Sequence, residues 1–151
     1  MKDVDVHAET ELWVQPIFYA ASWGWPEMVE LLFNNGADIE AVCIDPYGYD
    51  LATPLMGAAS WGYEDAVEML VNLGADVNRQ VGYYNDTALH MAVMFNYRHT
   101  VKILLDLGAD PNVEDRNGFT PYDIASEWNF RKIAKMLLKY GAVKDTSADL
   151  G

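Results

Sequence analysis

The chain has one cysteine, Cys43, among 151 residues, so an internal disulfide is excluded. With only His7, His90 and His99 beside it, a tetrahedral zinc centre of cysteine and histidine is excluded as well. No apolar run exceeds a few residues, and no segment reads as a membrane span. The opening Met1-Lys2-Asp3-Val4-Asp5 lacks the basic-then-apolar pattern of a secretory leader, so the expected location is cytoplasmic. There is no glycine-rich phosphate loop, no Ser-His-Asp order and no paired-carboxylate signature. Asp3, Asp5, Glu9 and Glu11 lack the loop spacing and the glycine of a calcium site and read as a solvated acidic segment. Nothing here calls for an enzyme, a cofactor or a bound metal.

Positive charge is also scarce, and unevenly so. Residues 1–78 hold one basic residue, Lys2, against fourteen acidic ones, whereas residues 79–151 hold nine of each. The whole net charge of −13 therefore belongs to the first half. Such a field repels nucleic acid and anionic membranes and draws in cationic partners. An acidic surface that serves solubility alone is the other reading of the same numbers.

What is present in abundance is internal repetition. Gly36-Ala37-Asp38, Gly74-Ala75-Asp76, Gly108-Ala109-Asp110 and Gly141-Ala142-Val143 each follow a leucine-rich stretch, with glycines 38, 34 and 33 residues apart. A period in that range marks a stacked-repeat architecture. Aligned on the glycines, Thr53-Pro54-Leu55, Thr87-Ala88-Leu89 and Thr120-Pro121-Tyr122 open three units, and Gln15-Pro16-Ile17 opens a weaker first one. Threonine caps a helix with its hydroxyl, and proline fits a first turn because its missing N–H has no partner there anyway. The pattern predicts first helices over Ile17–Trp23, Leu55–Trp61, Leu89–Phe95 and Tyr122–Trp128. Gly24, Gly62, Asn96 and Asn129 end them in the left-handed region. Second helices are predicted over Glu27–Asn34, Glu64–Asn72, His99–Asp106 and Phe130–Tyr140, with apolar residues at helical spacing.

These residues resemble the ankyrin repeat family over roughly residues 13–145: the Thr-Pro-Leu opening, the Ala-Ala pair, the Leu-Leu pair and Gly74-Ala75-Asp76-Val77-Asn78 all fall in register. The resemblance implies an all-α solenoid of four helix–turn–helix units with projecting finger loops. An acidic segment, 1–12, precedes it and a short tail, 146–151, follows. The last helix should show a polar outer face, with Lys132, Lys135 and Lys139 supplying it. The family's histidine after the Thr-Ala-Leu opening bonds to loop backbone, a structural role expected of His90. Leu70 with Asp76-Val77-Asn78 also fits a pattern of asparagine hydroxylation in such proteins, a match that follows from the repeat consensus itself.

Departures from the pattern point to the working surface. Gly108 to Pro121 spans 13 positions, but Gly36 to Pro54 spans 18, so one finger is enlarged by five residues; Gly74 to Ala88 spans 14. Extended loops on one face of a repeat array mark its binding face. The family's contact positions, the finger tips and the ends of the first helices, map onto Trp23, Trp61, Met94, Phe95 and Trp128, and onto Asp45, Tyr47, Tyr49, Asp50, Tyr83, Tyr84, Arg116, Asn117 and Phe119. Asp86 and Asp123 flank them. Rings at equivalent helix ends are expected to line one groove as interface anchors. They could instead pack on the fingers as core, or serve self-association.

The expectation is a non-enzymatic protein–protein interaction module, a monomer when free, which binds neither nucleic acid nor membrane. Its partner is a protein with a basic surface, held in an acidic, aromatic concave groove. An inhibitor or immunity protein of a toxin is one concrete form. An adaptor or host-directed effector that recognises a folded signalling protein is the alternative.

Overall fold

The computed structural model describes residues 15–44 and 50–144. Four helix pairs follow one another: α1 (Pro16–Ser22) with α2 (Pro26–Asn34), α3 (Pro54–Trp61) with α4 (Glu64–Asn72), α5 (Ala88–Met94) with α6 (Arg98–Asp106), and α7 (Pro121–Glu127) with α8 (Arg131–Lys139). The expected starts hold for a visible reason. Thr53, Thr87 and Thr120 have extended backbones, and their hydroxyls accept the N–H of Met56, His90 and Asp123, respectively. In the last two units the third helical residue reaches back: the His90 ring accepts the Thr87 N–H at 3.1 Å, and Asp123 accepts that of Thr120 at 2.8 Å. Two donors that a helix start leaves unpaired are satisfied in each case. Gln15 holds the corresponding place before α1 without a side-chain cap.

All eight helices among the described residues end in the same double turn. After α1, for example, the Gly24 N–H bonds the Ala21 carbonyl at 3.0 Å and the Trp25 N–H bonds that of Ala20 at 2.9 Å. The turn needs one residue at positive φ. Asn96 and Asn129 supply it, as expected, both at φ 59°. A third asparagine, Asn85, sits at φ 56° within a finger, which the repeat pattern does not reveal.

The helices form two rows. α1, α3, α5 and α7 stack on one another in sequence, and α2, α4, α6 and α8 stack behind them. Between the rows lies a continuous core of Ile17, Phe18, Leu55, Leu70, Leu89, Leu104, Ile133 and Leu137, with Ala20, Ala21, Ala58, Ala59, Ala92 and Ala125 at the close approaches of the first row. Each of those leucines contributes about 2 kcal/mol by leaving water. Lys132, Lys135 and Lys139 lie on the exposed face of α8, as an end unit requires. One refinement concerns the enlarged finger. It carries a short antiparallel pair, β1 (Cys43–Ile44) with β2 (Leu51–Ala52), in the register Cys43 to Ala52. The next finger makes a single bridge, Val81 to Asp86.

Two further contacts set the spacing between units. Glu40, Asn78 and Asn112 stand at one equivalent position, and each reaches the next repeat: their side-chain oxygens accept the N–H of Asp76, Asp110 and Val143 at 2.6, 2.8 and 2.9 Å. Asn78 is thus a structural tie. At the other end of the helices, an aromatic residue follows each left-handed residue: Trp25, Tyr63, Tyr97 and Phe130. The Tyr63 ring covers Gly24 and the Tyr97 ring covers Gly62, so closely that a Cβ on Gly62 would lie 2.6 Å from Tyr97. Gly62→Ala should therefore cost about 3 kcal/mol, from left-handed strain and this collision together. Urea unfolding of Gly62→Ala, Tyr97→Ala and the double variant checks it: the double variant should fall short of the sum of the single losses by about 1 kcal/mol.

Candidate partner-binding groove

The fingers are laced to one another. Asp50, at the end of the enlarged finger, accepts the N–H groups of Tyr83 and Tyr84 from the next finger at 2.6 and 3.1 Å, and that of Leu51 at 2.8 Å. Gln80 donates to the Glu114 carbonyl at 2.8 Å, and the Arg116 N–H bonds the Tyr84 carbonyl at 2.8 Å. The Arg116 guanidinium lies 4.1 Å over the Tyr83 ring, a cation–π contact. Asp115 accepts the N–H groups of Asn117 and Phe119 at 2.7 and 2.9 Å through one oxygen, Oδ1. His90 completes the set. It is fully buried, and its Nε2 bonds the Phe119 carbonyl at 3.1 Å while Nδ1 accepts from Thr87. The ring is therefore a neutral tautomer with its proton on Nε2, in the structural role expected of it. Burial holds it below the usual histidine value, against the opposing pull of the Phe119 carbonyl and Asp115.

Between these fingers and the first row of helices runs a groove of about 370 Å³. Met91, Met94, Phe95, Phe119, Ile124 and Trp128 form its apolar walls. Asp50, Asp86, Asp115 and Glu127 open into it as well, with Tyr84 and Asn117 at its finger side. Asp86 is the exceptional member. It is only 6% exposed, and burial first, then the like charges of Asp115 and Asp50, push its carboxyl from the usual 3.8 up to about 6.

Of the residues singled out in the sequence, Asp50, Tyr84, Met94, Phe95, Asn117, Phe119 and Trp128 meet in this groove. Arg116 and the 62%-exposed Tyr83 pair beside it. The helix-end rings are surface residues: Trp23 is 60% exposed, Trp128 53% and Phe95 43%. Trp61 is exposed too, and neither it nor Trp23 is among the residues that line this groove. Asp45, Tyr47 and Tyr49 lie outside the described residues. The second row of rings went unread in the sequence, although its spacing of 38, 34 and 33 residues would have shown it. In three units those rings pair with the first: Trp23 stacks on Trp25 at 6.2 Å, Phe95 meets Tyr97 at 6.5 Å, and Trp128 meets Phe130 edge-on at 5.9 Å. A second, basic depression of about 620 Å³ lies at the starts of α6 and α8, where Arg98, His99, Arg131 and Lys132 gather.

The profile of the family described as Ankyrin repeats (3 copies) matches the chain over residues 2–81 and 79–148. The chain belongs to the ankyrin repeat family. Among curated proteins none matches it. Ankyrin repeats are protein–protein interaction modules, and that general role comes with the family. Among the described residues, no helix is long and apolar enough to cross a membrane.

Asp86 has a cost that can be measured. Its folded pKa lies above its unfolded one, so the native state holds more protons between pH 3.8 and about 6, and stability falls as pH rises through that window. Asp86→Asn should therefore stabilise the protein by about 1–2 kcal/mol above pH 7, a rise in Tm of about 3–6 °C. The gain should vanish near pH 4. His90 acts in the opposite sense, since its lowered pKa makes stability fall on acidification, but it is common to both proteins and cancels in the difference. Thermal unfolding of both at several pH values is the check.

Proposed function

We propose that this ankyrin protein holds a protein partner in the groove between its fingers and its first row of helices. The observation that carries the reading is the groove's lining: solvent-facing Phe95, Phe119 and Trp128 beside Asp50, Asp86, Asp115 and Glu127. Large rings on a rigid scaffold are the usual anchors of an interface. The carboxylates, in a chain of net charge −13, favour a partner with a basic surface. The basic depression at α6 and α8 is set apart from this lining and has the opposite sign.

The same features support a finer reading. A small acidic protein that covers the basic surface of another protein acts as an inhibitor, in the manner of an immunity protein that neutralises a toxin. The charge of the first half favours this over an adaptor that docks a folded signalling protein. Capture from the source extract with the wild-type chain, compared with Phe95→Ala/Trp128→Ala, isolates a partner that uses the groove. An inhibitor abolishes its partner's activity in a purified mixture, whereas an adaptor leaves it unchanged. The free chain is expected to sediment as a monomer in a cytoplasm-like buffer.

With that partner in hand, Phe95→Ala and Trp128→Ala should each weaken binding by about 2 kcal/mol, about thirtyfold, with the helical circular dichroism spectrum intact. Trp23→Ala, outside the groove, should cost under about 0.5 kcal/mol. Association should slow steeply as salt rises from about 0.01 to 0.15 M. Unchanged binding by both groove variants would overturn the assignment of the site.

A further inference from the structure

We propose that the acidic end of the groove is a lysine pocket: the Asp86 carboxylate, with those of Asp50 and Asp115 beside it, receives the ε-ammonium of one lysine side chain of the partner protein, whose aliphatic stem lies along Met91, Met94, Phe95 and Trp128. This rests on the reading of the groove as the partner site and names what fills it.

The reason is the isolation of Asp86. Of the other buried polar side chains among the described residues, Thr53, Ser60, Thr87 and His90 have hydrogen-bond partners, and the two that lack one, Ser22 and Thr100, are neutral hydroxyls, so Asp86 is the unpartnered carboxylate. The Asp86 side chain meets neither a donor nor a cation among the described residues. Arg116, the cation nearest in sequence to Asp115, is turned onto the Tyr83 ring instead. A carboxylate held out of water with no partner is destabilising. Its neighbours aggravate the cost, because Asp50 and Asp115 are near enough to repel it. Asp115, which also lines the groove, commits only Oδ1 to backbone bonds and leaves Oδ2 free of them. One external cation in this place relieves all three.

The chemistry favours an ammonium. It is a compact charge that one buried carboxylate can take with the others as flanking charges, whereas a guanidinium is a planar fork suited to one exposed carboxylate edge. The methionine and aromatic walls match a four-carbon stem, which lies along apolar surface while its head seeks charge. Among the described residues no His, Cys, Asp and Glu group is arranged to hold a metal ion. The pocket should also respond to pH. Glu127 shares the groove and Asp50 and Asp115 flank Asp86, while burial keeps His90 neutral, so acidification through about pH 6 neutralises Asp86 and weakens the hold on lysine.

The test uses the full chain and three capped tripeptides, Ala-Lys-Ala, Ala-Arg-Ala and Ala-norleucine-Ala, followed by amide and indole NMR shifts. The lysine peptide should give saturable shifts at Asp86, Phe95 and Phe119 and at the Trp128 indole, and should bind about tenfold or more tightly than the norleucine peptide. That preference should disappear in Asp86→Asn, which folds, and should shrink below pH about 6. Equal binding of the lysine and norleucine peptides in the groove overturns the lysine pocket and leaves the groove as partner site. Tighter binding of the arginine peptide overturns the ammonium assignment. Shifts only outside the groove, or none up to about 10 mM, overturn the pocket as well. The groove itself then stands or falls on Phe95→Ala and Trp128→Ala with the captured protein.

Discussion

One side chain in each recurrent turn fastens a unit to the next, and the rest of the molecule depends on it. Glu40, Asn78 and Asn112 take backbone N–H groups from the following repeat. A helix pair of seven- and nine-residue helices, such as α5 and α6, cannot bury its apolar face unaided. It gains a core only when the next pair arrives at the right height and angle. The ties fix that height at the finger end, and the rings of Tyr63 and Tyr97 on Gly24 and Gly62 fix it at the other. With both ends held, the alanines of the first row meet at close range and the fingers fall into line.

The groove is a product of that alignment, and its electrostatics follow. Only one ion pair, Lys102 with Asp106, occurs among the described residues, and it lies on the exposed surface of α6. The carboxylates of the fingers are therefore uncompensated by the chain's own cations. Two of them, Asp50 and Asp115, are partly satisfied by backbone N–H groups, which is how a loop holds its shape. Asp86 has no such duty. A protein selected for stability alone would be better with a neutral residue there, and this contrast between folding and binding marks the position.

The architecture was legible because each unit carries its own punctuation. The threonine caps, the glycine or asparagine turns and the buried alanines are local requirements, and a repeat prints them several times in one sequence. His90 was legible for the same reason. The site was only partly so. That Phe95 and Trp128 share a groove while Trp23 and Trp61 stand outside it depends on the rotation from unit to unit and on the reach of each finger, and neither is written in any one repeat. Asp50 reads as an exposed finger-tip charge, yet it grips the next finger. Asp86 reads as one acid among many, and only the packing around it makes it the least solvated carboxylate of the groove.

The lacing of the fingers has a consequence for how binding proceeds in time. Asp50 holds the Tyr83–Tyr84 turn, Gln80 holds Glu114, and Arg116 bonds back to Tyr84, so three successive fingers are braced before any partner arrives. A receptor preorganised in this way loses little conformational entropy on association. Variants of one partner would then meet nearly the same surface at nearly the same rate. What would separate a good partner from a poor one is residence time, set by how many of its contacts must break together before it can leave.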